Sequence, residues 1–165
     1  MKFCPECGHM LEQTQWPRTC EACKTIHYRN PKAVAVAMVP VEQDGKIIGL
    51  VGVKRRGGPW DGQWALPGGF VDWGEDGCIA AARELLEETG FALDHKSFQL
   101  SHDAKSRDGA TLLLFAKGPA ISIQTLALAV PCPTECWEVG VLGLDAAVAF
   151  PTHGQALNGF LAEQA

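Results

Sequence analysis

The sequence predicts an α/β domain preceded by a small metal-held module. Three observations carry this. A helix with a marked start and stop lies mid-chain over 77–89, between a capping Asp76 and a terminating Gly90. Short apolar stretches bounded by glycine, proline and polar turns lie on both sides of it, the pattern of strands. Two cysteine pairs stand within the first 30 residues, a stretch too short to bury a sufficient core of its own.

The elements follow in order. Cys4, Cys7, Cys20 and Cys23 are spaced C-x2-C-x12-C-x2-C. Each pair offers two sulfurs from one tight turn, and the two turns together complete a tetrahedron around zinc. Gly8 suits the sharp backbone after the first turn. A closed four-thiolate site leaves no position for water, so its zinc is structural, and binding supplies folding energy. Redox chemistry by a C-x-x-C pair is the poorer reading, because two matched pairs are present. Four cysteines suffice, so His9 and His27 read as bystanders. The segment resembles a zinc ribbon spanning residues 1–30, with Asn30-Pro31 as the boundary.

Residues 33–39 alternate alanine with valine and methionine and predict a half-buried strand. Gly45 marks a hairpin turn, and 47–54 is the returning strand. Lys54, Arg55 and Arg56 form a basic run. It is either a solvated strand end or a contact for substrate phosphates. Residues 57–63 are a loop, 64–66 a short strand, and Pro67-Gly68-Gly69 a turn. Trp60, Trp64 and Trp73 cluster around that loop, as packing or as a surface for a base or flavin ring. Beyond the helix, 97–103 and 110–116 read as strands joined by a polar turn. Residues 118–133 read as a loop with a short strand at 121–123. Residues 134–142 form a further strand. Ala156, Leu157, Phe160 and Leu161 fall at helical spacing in a terminal amphipathic helix over 151–163, with Pro151 in its first turn.

In the central helix, Glu84, Glu87 and Glu88 fall within one arc at roughly 100° per residue. Cys78, Ile79, Ala82, Leu85 and Leu86 lie opposite and predict the buried face. Ala80 and Ala81 leave room for a ligand near the acids. Three carboxylates on one face disfavour the helix by a few tenths of a kcal/mol per pair, on the order of magnitude of i,i+4 repulsion. A hard divalent cation relieves this better than Arg83 alone, since Mg2+ prefers oxygen ligands. The Gly69 carbonyl can approach such a cation, because no side chain intervenes. A solvated acidic face is the bland alternative. The glycine turn, the remote Glu75 and Arg83 argue against it.

Hydrophobic content of 47% and charged content of 20% are typical of a soluble globular protein. A net charge of −5 argues against broad electrostatic binding to nucleic acid. The N-terminus has no apolar run fit for a signal peptide, and no stretch approaches the roughly 20 apolar residues of a membrane span, so a cytoplasmic location is the default. Cys78, Cys132 and Cys136 read as small buried hydrophobes.

Gly69, Glu75, Arg83, Glu84, Glu87, Glu88 and Gly90 fit G-x5-E-x7-R-E-x-x-E-E-x-G, with Leu85 and Phe91 apolar. This resembles the signature of the Nudix hydrolases, which cleave nucleoside diphosphates linked to a further group. The ribbon, the Asn30-Pro31-Lys32 connector and the signature together resemble the zinc-ribbon branch of that family. That branch includes ADP-ribose and FAD pyrophosphatases and, more distantly, NADH pyrophosphatases. The resemblance implies an α/β/α sandwich with a mixed sheet over residues 31–165. It implies Mg2+ or Mn2+ on Glu84, Glu87, Glu88 and the Gly69 carbonyl. Glu75 and Arg83 would orient the loop and helix. A further glutamate on a later strand or loop, as metal ligand or base, is matched by Glu135, with Glu138 as the fallback. The implied chemistry is attack of water on a pyrophosphate of a small nucleotide such as FAD, NADH or ADP-ribose. Many relatives are dimers, so a homodimer is compatible with this reading.

Two departures bear on substrate. The proline that follows the signature in ADP-ribose pyrophosphatases is absent, with Arg107 near its place. Of the proline- and tryptophan-rich motif of NADH pyrophosphatases, 149–152 is at most a remnant. Two alternatives stay open: pyrophosphohydrolysis of nucleoside triphosphates or RNA 5′ ends, and a non-catalytic nucleotide- or nucleic-acid-binding module. Inert relatives usually lack signature glutamates, and here all are present.

Overall fold

The computed structural model describes residues 2–164. It divides into two compact units, one ending at Pro31 and one beginning at Lys32. In the first, β1 (Arg18–Thr19) pairs antiparallel with β2 (Ile26–His27), and Phe3 bridges Met10. Among its described residues the buried apolar cluster is Cys4, Leu11 and Cys20.

The second unit holds two mixed sheets. One has the order β7-β3-β9-β8, from β7 (Gly68–Phe70), β3 (Lys32–Met38), β9 (Thr111–Lys117) and β8 (Gln99–Lys105). Within it β3 and β9 run parallel and the other neighbours antiparallel. The other sheet has the order β10-β4-β5-β11, from β10 (Ile121–Ser122), β4 (Pro40–Gln43), β5 (Lys46–Arg55) and β11 (Cys136–Leu142). The short β6 (Trp64–Ala65) also pairs with β5. Residues 33–39 and 47–54 therefore do not form one hairpin. The chain changes sheet at Val39, and the hairpin partner of β5 is β4, which the proline at its start hides from strand patterning. Its turn uses Asp44 and Gly45, both at positive φ (51° and 74°), the two-residue turn that suits hairpin twist.

Among the described residues, three α-helices complete the unit: α1 (Gly77–Thr89), α2 (Ile123–Leu126) and α3 (Pro151–Ala162). The four-residue α2, capped by the Ser122 hydroxyl on Thr125 N–H, lies in a stretch expected to be loop. One core joins α1 to the sheets through Ala35, Ala37, Val39, Ala80, Ala81 and Leu85. The other joins α3 to their opposite side through Val36, Met38, Phe115, Leu157 and Phe160. Alternate residues of β3 thus serve opposite cores, and Ala35–Val39 is fully buried rather than half-buried. This is the α/β/α sandwich. The alanines of β3 meet the alanines of α1, so the helix sits close to the strand. Among the described residues, no helix is long and apolar enough to cross a membrane.

Candidate active site

Local capping fixes where α1 begins and ends. The Asp76 carboxylate accepts the Cys78 and Ile79 N–H groups at 2.9 Å each, and Gly90 terminates the helix at φ 78°. The helix presents two of its three clustered glutamates, Glu84 and Glu88, inward, against the hydrophobicity pattern. Leu86 is 45% exposed, Ala80 and Ala81 are fully buried, and Glu84 and Glu88 are only 9% and 6% exposed. The buried face is the one bearing two of the acids. The reason lies opposite it, in Gly68 and Gly69 of β7. The Gly68 N–H donates to Glu88 Oε2 at 3.0 Å, and a Cβ on Gly69 would lie 2.2 Å from Glu84 Oε1. Ala80 and Ala81 belong to the core and leave no ligand space; the space comes from the missing Cβ atoms of Gly68 and Gly69, which pair with β3 as strand β7 where a turn was expected.

Arg83 gathers the remaining acids. Its Nε and Nη2 donate to the two oxygens of Glu75 at 2.8 and 2.9 Å. Its Nη1 donates to Glu84 Oε1 at 2.8 Å and to Glu87 Oε2 at 3.0 Å, and Nη2 also reaches the Phe70 carbonyl at 2.9 Å. Glu75 in turn accepts the Asp72 N–H at 3.0 Å. Arg83 and Glu75 thereby tie the loop after β7 to the helix. The Arg83 bonds hold the Glu75 carboxyl down at about 2, and Glu75 in turn raises Arg83. Burial acts the other way on the inner acids. It pushes Glu88 up to about 8, and it raises Glu84 against the opposing bond from Arg83. Glu87 stays exposed. A donor set of three carboxylates beside the glycines of β7, two of them disfavoured as isolated anions, could hold a hard divalent cation.

The sequence candidates from the later strand separate cleanly. Glu135 stands in the loop before β11, and its charge adds to the upward push on both Glu84 and Glu88. Glu138 is on β11 and pairs with Lys54 at 3.5 Å. The end of α1 helps to place that loop: the Thr89 and Glu88 carbonyls accept the Val130 and Cys132 N–H groups at 2.9 and 3.2 Å. Within the basic run, Lys54 is thus spoken for. Arg55 lies 5.4 Å from the Phe150 ring centre, makes no ion pair among the described residues, and has a buried Nε without a hydrogen-bond partner. Its charge favours the ionised form of Glu88. Of the tryptophans, Trp60 meets Phe150 edge-on, Trp64 packs with the α3-side core, and Trp73 is fully exposed. Of the scattered thiols only Cys136 is fully buried, and burial pushes it up to about 12; Cys78 and Cys132 are half-buried. His153 of α3 is a contributor that sequence patterning misses. It is buried, and its Nδ1 accepts the Leu66 N–H at 3.2 Å, just before the glycines of β7. A cleft of about 340 Å³ between β8 and α3, lined by His102, Asp103 and Gln155 among others, touches none of the α1 carboxylates.

In the N-terminal unit the four sulfurs of Cys4, Cys7, Cys20 and Cys23 lie within 4.8 Å of one another. Cys4–Cys23 and Cys7–Cys20 are each 3.6 Å apart. A zinc tetrahedron with bonds of about 2.3 Å has sulfur–sulfur edges of about 3.8 Å, so the cluster fits that ion. Both turns have one design. Gly8 and Lys24, each at positive φ, donate their N–H to the Cys4 and Cys20 carbonyls at 2.9 and 2.8 Å. His27 is outside the cluster of four, but its Nε2 lies 3.3 Å from Cys4 Sγ.

Residues 31–142 match the family model of the NUDIX domain. The chain is 33% identical over 95 residues to the NAD-capped RNA hydrolase NudC of Vibrio cholerae serotype O1, covering 56% of this chain and 33% of that protein. It is 29% identical over 102 residues to the NudC of Escherichia coli O157:H7, covering 61% and 37%. The chain thus spans about a third of the length of these curated relatives. A NUDIX hydrolase from Nitrosomonas europaea superposes with a TM-score of 0.72 at 25% identity, covering 99% of this chain and 92% of that one. The NUDIX domain of Shewanella oneidensis NrtR complexed with ADP ribose superposes with a TM-score of 0.68 at 18% identity, covering 84% and 91%, a likeness of fold alone.

Proposed function

The chain belongs to the Nudix family, and from that premise we propose that it hydrolyses the pyrophosphate of a nucleoside diphosphate-linked molecule such as FAD, NADH or ADP-ribose. The observation that carries the proposal is the convergence of Glu84, Glu87 and Glu88 beside Gly69, organised by Arg83 and Glu75 and faced by Glu135. In this reading Glu84, Glu87, Glu88 and the Gly69 carbonyl hold Mg2+ or Mn2+. When bound, such a cation supplies charge neutralisation for the pyrophosphate and activation of water. Glu75 and Arg83 hold the loop and helix in register. Glu135 faces the cluster from the opposite loop, as a further ligand or as the base that takes the proton from the attacking water. Arg55, unpaired and beside an aromatic ring, is suited to a substrate phosphate. The paired cysteines hold a structural zinc, and residues 31–165 form the catalytic unit.

A second reading, removal of a nucleotide cap from an RNA 5′ end, is favoured by the activity named for the NudC relatives. One screen addresses both. Hydrolysis of FAD, NADH, ADP-ribose, nucleoside triphosphates and NAD-capped RNA is compared as kcat/KM with Mg2+ and with Mn2+. The dinucleotide reading expects the highest value for one of the first three. It fails if triphosphates exceed all of them by about a hundredfold in kcat/KM.

A further inference from the structure

Two loops meet, residues 56–63 after β5 and residues 130–135 before β11, and the second carries Glu135, whose charge acts on Glu84 and Glu88. Arg56 joins them in three ways. Its backbone N–H donates to the Glu135 carbonyl at 2.7 Å. Its Nη1 donates to the Pro133 carbonyl. Its guanidinium lies 4.1 Å from the Trp137 ring centre. The Trp137 ring is held at its other edge, where Nε1–H donates to Asp61 Oδ1 at 2.9 Å. The same oxygen accepts the Gly57 N–H at 2.7 Å, which closes the turn that follows Arg56. Pro133, Glu135 and Trp137 are alternate residues of one segment, and Glu135 is the middle one. The Glu135 side chain is exposed and makes no hydrogen bond or ion pair among the described residues. Its place relative to Glu84 and Glu88 is therefore set by its backbone, and that backbone is gripped on both sides of it.

We propose that Arg56 is a positioning residue: gripping Pro133, Glu135 and Trp137, with Asp61 as the counter-hold, it sets where the Glu135 carboxylate stands over the acidic cluster, and it does not bind substrate phosphate. This rests on the reading of Glu135 as part of the reacting set. The three basic residues that end β5 then have three different tasks. Lys54 pairs with Glu138, Arg55 faces the cluster, and Arg56 turns away to the loop. Arginine is required for the last, since only a planar guanidinium stacks on a ring and donates to a carbonyl together.

The test uses the full chain with Mg2+ and whichever of FAD, NADH or ADP-ribose it hydrolyses best, in Arg56→Ala, Arg56→Lys, Asp61→Ala, Glu135→Gln and the Arg56→Ala/Glu135→Gln double variant. The expected result is a kcat loss of about tenfold or more for Arg56→Ala, with KM moved less than about threefold, as for misplacement of a reacting group. Arg56→Lys should not restore activity. In the Glu135→Gln background the further loss from Arg56→Ala should shrink to less than about twofold, because both changes act through one carboxylate. Equal losses in both backgrounds, a loss confined to KM, or full rescue by lysine overturns the proposal in favour of a phosphate contact. Unchanged kcat in Glu135→Gln sinks the underlying role of Glu135. Reduced kcat there with normal kcat in Arg56→Ala sinks only the clamp. Amide hydrogen exchange supplies a readout free of turnover: residues 134–137 should exchange faster in Asp61→Ala, which removes the acceptor for Trp137 Nε1–H and Gly57 N–H at an exposed position, and unchanged exchange overturns the proposal.

Discussion

Replacing Gly69 with alanine puts a methyl group into the acidic cluster. The new Cβ would lie 2.2 Å from Glu84 Oε1, 2.4 Å from Cδ and 2.5 Å from Oε2. Restoring ordinary contact of about 3.2 Å requires the carboxylate to retreat by about 1 Å, since interiors are close-packed and overlaps are not tolerated. Glu84 has little room to do so. It is 9% exposed and is held to Arg83 Nη1 at 2.8 Å. A displacement of about 1 Å in a catalytic group costs on the order of a hundredfold in rate. Folding should suffer less, about 1 kcal/mol, because the obstacle is the end of a side chain. Gly68→Ala is the natural control. Its Cβ would meet the Ala35 carbonyl oxygen at 2.4 Å and Val36 Cα at 3.0 Å, the backbone of β3 itself. That variant should lose stability, with its midpoint in urea lowered more than that of Gly69→Ala. The assays are kcat with the best dinucleotide, Mn2+ titration followed by electron paramagnetic resonance, and urea unfolding. Gly69→Ala with kcat within threefold of wild type and unaltered Mn2+ affinity would refute the argument that this glycine exists to admit Glu84.

Glu87→Gln and Glu88→Gln should each lower kcat by two orders of magnitude or more, about 3 kcal/mol at the barrier, with the fold retained; activity within about tenfold of wild type in both would place the metal elsewhere. Protein purified without chelator should carry near-equimolar zinc, and chelation should speed amide exchange across residues 2–31 while sparing 32–164, because the first unit has only Cys4, Leu11 and Cys20 for a core; equal protection without zinc would contradict this. His153 is buried neutral, with its pKa pushed down from 6.5 to about 4 chiefly by burial. Between those values the unfolded chain binds more protons, so this contribution is complete above pH 6.5 and is lost as pH falls to about 4, up to about 3 kcal/mol in all. Urea unfolding of wild type against His153→Asn, which can still accept from Leu66, should show the gap between them narrowing over that window; a constant gap would show that His153 does not titrate with folding.

Much of the fold was legible because it is written locally. Asp76 and Gly90 mark the two ends of α1 by backbone chemistry that needs no tertiary context. The paired cysteine spacing encodes two turns that the structure brings within 4.8 Å of each other. The buried face of α1 was not legible. Periodicity weighs Ile79 and Leu86 above Ala80 and Ala81, but close approach to β3 and β7 selects the small residues and carries Glu84 and Glu88 inward with them. The change of sheet at Val39 was hidden for a related reason: two adjacent strands joined by a turn read as one hairpin unless the partners are known. The different fates of Lys54, Arg55 and Arg56 depend on Glu138, Phe150 and Trp137. Those partners lie more than 75 positions away in the chain, and single-sequence spacing carries no trace of them.

The loop bearing Glu135 begins by docking Val130 and Cys132 on the last carbonyls of the helix that bears Glu84, Glu87 and Glu88. A segment that lands on a helix end is located by its landing point and not by the route taken to reach it. Carboxylates nearly fifty positions apart are thus surveyed from one benchmark, and errors in the intervening path do not accumulate in their spacing. The turn at Ala127–Leu128, exposed and upstream of the landing, is therefore where the chain can gain or lose residues over evolution, or accept an engineered insertion, while the acids keep their registration.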